Sequence, residues 1–191
     1  MTVGVCGFPR CGSTMVMKML DAGGVAPVAG TSLVSYELDH LDSFLQLPVD
    51  ALRGRSVKLL DFALWQGVGT WPVTDWSFIW IRRARGEQAR SQQKFHRWAL
   101  PHLRPVPSTS SLKRSYDRDE PVALSHLRRL GDVCVLAFEE ILTGPSTAAR
   151  DLKAFLGAEH PNFDAHAAAA VVIDRDPACA PDMAFEEALS L

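Results

Sequence analysis

The segment that most constrains this chain is Gly7-Phe8-Pro9-Arg10-Cys11-Gly12-Ser13-Thr14, set between a short apolar run and a stretch of helical character from Met15 to Leu20. The run Thr2-Val3-Gly4-Val5-Cys6-Gly7 is too short for a helix and reads as a buried strand, so the N-terminus forms a strand, loop, helix unit. Gly7 and Gly12 are spaced as in a phosphate-binding loop, G-x-x-x-x-G. The lysine that should follow the second glycine in an NTPase is replaced by Ser13, and the basic residue has moved forward to Arg10. Such a loop offers backbone N–H groups at a helix N-terminus, the hydroxyls of Ser13 and Thr14, and a fixed guanidinium. Together these make a cradle for a diphosphate-like anion.

The rest of the chain alternates in the same manner. Ser35 to Leu47 carries Leu38, Leu41, Phe44 and Leu45 at helical spacing and stops at Pro48. Ser56 to Leu60 and Trp76 to Ile81 are nearly continuous apolar runs, as strands covered on both faces should be, and the Gly- and Trp-rich segment between them reads as loop. Gly86 to Trp98 and Ser115 to Leu130 read as helices around a proline- and serine-rich loop from Pro101 to Ser111. Val133 to Ala137 is a fourth strand, Ser146 to Leu156 a helix begun after Pro145, and Phe163 to Val172 a final helix. Strand and helix alternation without a repeat or a long linker predicts one α/β domain over residues 1–191. Its expected form is a three-layer α/β/α arrangement on a mostly parallel sheet, with ligands at the carboxyl ends of strands.

Composition narrows the function. With 47% hydrophobic and 22% charged residues and a net charge of -2, the chain has material for a core and lacks the basic excess of a dedicated nucleic-acid binder. Cys6, Cys11, Cys134 and Cys179 form no CxxC pair or zinc spacing, so a reducing cytosol is expected, with Cys6 and Cys134 as buried structural thiols. No signal peptide and no membrane span are expected. Arginine outnumbers lysine about three to one and alanine is abundant, which points to a GC-rich bacterial or phage genome. The sequence says nothing of oligomeric state.

Pro9-Arg10-Cys11-Gly12-Ser13-Thr14 resembles the first motif, P-[KR]-x-G-[ST]-T, of the sulfotransferases that use 3'-phosphoadenosine 5'-phosphosulfate (PAPS). Its arginine form is similar to that of the bacterial and tyrosylprotein branches, and Met15 stands where the cytosolic branch has an aromatic residue. That family's second motif pairs an arginine at a strand end with a serine eight positions later. Arg83 and Ser91, after Phe78-Ile79-Trp80-Ile81-Arg82, have this spacing, whereas Arg82 and Arg90 do not. A third likeness runs from Val135 to Pro145 and on to Phe155-Leu156-Gly157. There Phe138 and Leu142 are expected in the core, Pro145 at a helix start, and Glu139 ordering local backbone.

The resemblance implies a P-loop sulfotransferase fold, PAPS as donor with adenosine 3',5'-bisphosphate (PAP) as product, and no metal. It implies that Pro9, Arg10, Cys11, Gly12, Ser13 and Thr14 hold the 5' end of the nucleotide while Arg83 and Ser91 hold its 3'-phosphate. It also makes Arg10 the cation opposite the negative charge that builds on the leaving oxygen. The acceptor is a hydroxyl or amine of a small molecule or saccharide, and a general base must take its proton. Glu37 is the first candidate, Asp61 at the end of the second strand the next, and His40 the third; Lys58 supports the site from its strand. His96, His102, His126, His160 and His166 follow no metal-ligand spacing and read as surface or satisfied structural groups. Two other readings stay open: a P-loop nucleotide or small-molecule kinase, with Asp61 as the one plausible magnesium partner, and a non-catalytic nucleotide-binding module.

Overall fold

The structure, a computed structural model, describes residues 1–28, 48–60, 75–99 and 105–172. Four strands, β1 (Thr2–Cys6), β2 (Ser56–Leu59), β3 (Trp76–Arg82) and β4 (Gly131–Ala137), form one sheet in the order β2-β1-β3-β4, with every pairing parallel. The helices are α1 (Ser13–Ala22), α2 (Val49–Leu52), α3 (Arg85–Ala99), α4 (Thr109–Leu127), α5 (Phe138–Thr143), α6 (Pro145–Leu156) and α7 (Ala165–Ala170). The chain has the expected α/β architecture, a parallel sheet covered by helices.

Alternation along the strands sorts the core into two layers. Ile79 and Ile81 of β3 face one side with Val3 and Val5 of β1, and α1, α5, α6 and α7 close over them. Trp76, Phe78 and Trp80 face the other side, under α3 and α4. Gly4 is required within β1, because a Cβ there would lie 2.7 Å from the Phe78 ring. Phe163 is buried against Gly23, whose missing side chain leaves room for the ring, so it anchors the chain just before α7.

β1 has β2 on one side and β3 on the other, and the chain passes to the α1 face after β1 but to the α3–α4 face after β3. The carboxyl ends of β1 and β3 therefore border a topological switch point, where open α/β sheets bind ligands.

Several boundaries differ from those expected. α4 starts at Thr109, not Ser115, because Ser108 caps it by accepting from the Ser111 N–H at 3.1 Å. The helix also runs through Pro121, which removes one internal hydrogen bond without ending it. α7 covers Ala165–Ala170 rather than Phe163 to Val172, with Asp164 as its cap. Pro145 occupies the first turn of α6 as expected, and Phe138 and Leu142 are in the core. The expected helix over Ser35 to Leu47 and the loop after β2 lie outside the described residues.

Candidate active site

The loop leaving β1 is bent by three local devices. The Cys11 N–H donates to the Phe8 carbonyl at 3.2 Å, closing a tight turn over Pro9 and Arg10. Arg10 has a φ of 67°, the one described non-glycine residue in the left-handed region. Gly12 follows at φ 101°, where an L side chain is strained, and a Cβ there would collide with the Phe138 ring. The turn thus needs glycine at 12 and tolerates arginine at 10 at a cost of about 1–2 kcal/mol.

Residues from β2, β3 and α3 hold this shape. Arg83 donates from Nη1 to the Arg10 carbonyl at 3.1 Å, and its guanidinium lies 4.8 Å from the centre of the Phe138 ring. Arg10 in turn donates from Nε to Ser91 Oγ at 3.3 Å and stands over the Phe95 ring at 5.4 Å. Gln88 gives both amide hydrogens to the loop, to the Phe8 and Pro9 carbonyls at 3.1 Å each. Lys58 donates from Nζ to Thr14 Oγ1 at 3.0 Å. Glu139 accepts the Ala84 N–H at 2.9 Å, ordering the backbone just after Arg83. Arg10, Arg83 and Ser91, which are far apart in sequence, therefore meet at one place.

The electrostatics of this place favour an anion. Arg10, Lys58 and Arg83 converge on the loop. α1 has Gly12 as its N-cap, with no side-chain cap and no acidic residue in the first turn, leaving the positive end of its dipole uncompensated by the helix itself. The Cys11 side chain is fully buried and burial raises its pKa; the same cause, followed by the nearby Cys11, raises that of Cys6. Both are neutral thiols near pH 7, so Cys11 shapes the loop through its backbone and packing rather than through reactivity. Met15 is buried in the core. Among the described residues, no three His, Cys, Asp or Glu side chains are grouped to hold a metal ion.

Sequence reasoning missed a second group that braces the loop from α4. Phe8 stacks on Tyr116 with centroids 4.9 Å apart and meets Trp80 edge-on at 5.4 Å. The buried Glu120 accepts from Trp80 Nε1 at 2.9 Å, from Arg82 Nε at 2.6 Å, and from Arg85 Nη2. Among the described residues the Tyr116 hydroxyl has no partner, and burial pushes its pKa up to about 12. The signal for Glu120 is a lone acid within an otherwise apolar helical stripe, Tyr116, Ala123, Leu124 and Leu127.

Two histidines depart from expectation. His96 is half-buried, with Nε2 2.9 Å from the Gln92 amide, and His160 is half-buried; among the described residues His96 Nδ1 and His160 Nε2 have no partner. Neither is a surface or fully satisfied group. The candidate bases Glu37, Asp61 and His40 lie outside the described residues.

The described residues thus form a parallel α/β sheet whose switch point carries a glycine-bounded loop approached by Arg10, Lys58 and Arg83. No family model matches the chain, and no curated protein does. Among solved structures, the chain matches a sulfotransferase domain from the curacin biosynthetic pathway at a TM-score of 0.57 and 13% identity, over 92% of this chain and 84% of that one. The fold is sulfotransferase-like. No helix among the described residues is long and apolar enough to cross a membrane.

Proposed function

We propose that the protein is a sulfotransferase that uses PAPS as donor and a hydroxyl or amine of a small molecule or saccharide as acceptor. The observation that carries this reading is the meeting of Arg10, Arg83 and Ser91 around a strained loop. Backbone strain in a non-glycine residue persists only where surrounding contacts over-determine it, and such residues cluster at ligand clamps. The residues fit the donor: the loop and Arg10 suit its 5' phosphosulfate, Arg83 and Ser91 its 3'-phosphate, and Lys58 adds charge through Thr14.

When bound, PAPS supplies the activated sulfuryl group. The chain's part is to hold and neutralise. Arg10 is fixed by Ser91 and by its own carbonyl's bond to Arg83, so its charge is oriented before any reaction, the condition under which electrostatic stabilisation is strongest. Glu37 takes the acceptor's proton in this reading, with Asp61 and His40 as the alternatives. Three protein cations serve the phosphates without a metal.

Thermal unfolding with PAP, with and without magnesium, and with ATP plus magnesium tests the reading, since native-state binding raises Tm. PAP should stabilise without magnesium. Arg83→Ala should weaken PAP much more than adenosine 5'-phosphosulfate, which lacks the 3'-phosphate. A magnesium requirement, a preference for ATP, or equal losses for the two nucleotides would overturn it.

A further inference from the structure

Charge is segregated along this chain. Residues 82–130 hold twelve of the twenty Lys and Arg but four of the twenty-two Asp and Glu, a net +8 in a chain of net -2; residues 131–191 hold eleven acids and three bases. The fold sets the described helices of the two blocks apart. α3 and α4 lie on one face of the sheet, while α5, α6 and α7 lie on the other.

The four carboxylates of the basic block are already engaged within it. Glu120 is held by Arg82 and Arg85, Asp117 by Arg85, Asp119 by Arg118, and Glu87 by Arg90. Lys94, Arg97, Lys113, Arg114, Arg128 and Arg129 remain exposed on or just beyond α3 and α4, with no carboxylate partner among the described residues. Like charges left together repel, and that field attracts an anionic partner.

The same face carries the single large exposed apolar side chain among the described residues, Val122, 57% exposed. Arg114, Arg118 and Val122 recur every four residues along α4, so they form one outward stripe. Cations flanking an aliphatic group match an amphipathic acidic helix, whose carboxylates meet the arginine forks and whose leucine or methionine covers the valine.

We propose that the outer face of α3 and α4 docks an acidic, amphipathic segment of a partner protein. The proposal is independent of the sulfuryl-transfer reading, because none of these side chains belongs to the loop.

Fluorescence anisotropy of the full chain with labelled 20-residue probes tests it. One probe is a Glu-rich helical peptide with two central leucines; the second has serines in their place; a single-stranded DNA 20-mer and a sulfated oligosaccharide are the third and fourth. The leucine peptide should bind tightest at 150 mM salt and weaken as salt rises. The double variant Lys113→Glu/Arg114→Glu should weaken it at least about tenfold. Val122→Ser should weaken the leucine peptide about threefold or more and leave the serine peptide unchanged. Both variants change exposed residues, and unaltered Tm values check that they fold. No binding of the leucine peptide, tighter binding of the DNA or the oligosaccharide, or indifference to Val122→Ser would each overturn the proposal. So would salt-sensitive dimerisation in sedimentation that Arg114→Glu abolishes, which would make a second copy of this chain the occupant.

Discussion

Arg10 is held at a φ of 67° while its side chain and carbonyl are both tied down, so its stability role and its binding role can be separated by two substitutions. Arg10→Ala keeps the strained backbone and loses the side chain. What goes is a long hydrogen bond to Ser91, worth about 0.5 kcal/mol, and the contact with Phe95, worth about 0.5–1 kcal/mol. Arg10→Gly loses the same contacts but relieves the left-handed strain of about 1–2 kcal/mol, offset by about 0.4–1 kcal/mol of extra unfolded-chain entropy. The glycine variant should therefore be more stable than the alanine variant by about 0.5–1 kcal/mol in urea unfolding, a comparison in which every lost side-chain contact cancels. Binding should instead be indifferent to the strain. Both variants lose a charge-assisted hydrogen bond to phosphate, worth about 1.5–3 kcal/mol, and should bind PAP about 10- to 100-fold more weakly by calorimetry. If the glycine variant proves less stable than the alanine one, or if either keeps wild-type PAP affinity, the loop is not a strained clamp.

Three further outcomes are expected. Gln88→Met leaves the Phe8 and Pro9 carbonyls without their donor, and should cost about 1–3 kcal/mol in urea unfolding while lowering PAP affinity; a loss of stability with full affinity would detach Gln88 from the loop. Glu120→Leu leaves Trp80 and Arg82 without their acceptor and Arg85 with the exposed Asp117 alone, and should destabilise by about 3 kcal/mol, the low end for a broken buried ion pair because Arg82 reaches solvent. Asp164 has its pKa lowered from 3.8, first by the Ala167 N–H and also by that of His166, so its contribution to stability is present above the unfolded value and lost as pH falls through the lower folded value. Below pH 4 the wild-type Tm should fall more steeply than that of Asp164→Ala, and parallel curves would remove the cap from the acid transition.

How much of this was legible depended on what each stretch of sequence had to satisfy. β1 and β3 are covered on both faces and are nearly continuous in apolar residues, so they stand out. The loop was legible because its spacing and its place between strand and helix are set by the same backbone geometry. The start of α4 was hidden by Pro105 and Pro107, which read as loop although they end just ahead of the capping Ser108. The bracing of the loop was hidden for another reason: Gln88, Tyr116 and Glu120 act through contacts with residues 35 to 108 positions away, and neither periodicity nor spacing encodes a long-range partner.

α3 shows why that gap matters. Its sheet-facing side buries Gln88, Ser91 and Gln92, where an ordinary amphipathic helix would bury leucine or valine. Buried polar groups need partners, and among the described residues the Gln88 amide nitrogen finds the Phe8 and Pro9 carbonyls, Ser91 the Arg10 guanidinium and the Gln92 amide nitrogen His96, while the two glutamine amide oxygens find none. The helix is therefore seated by the loop as much as by the core. Replacing its buried glutamines with aliphatic residues would improve its hydrophobic pattern while removing what fixes Phe8, Pro9 and Arg10. A sequence that departs from the apolar pattern at these positions, and keeps a left-handed arginine beside them, has its local irregularities concentrated where one bound anion would use all of them.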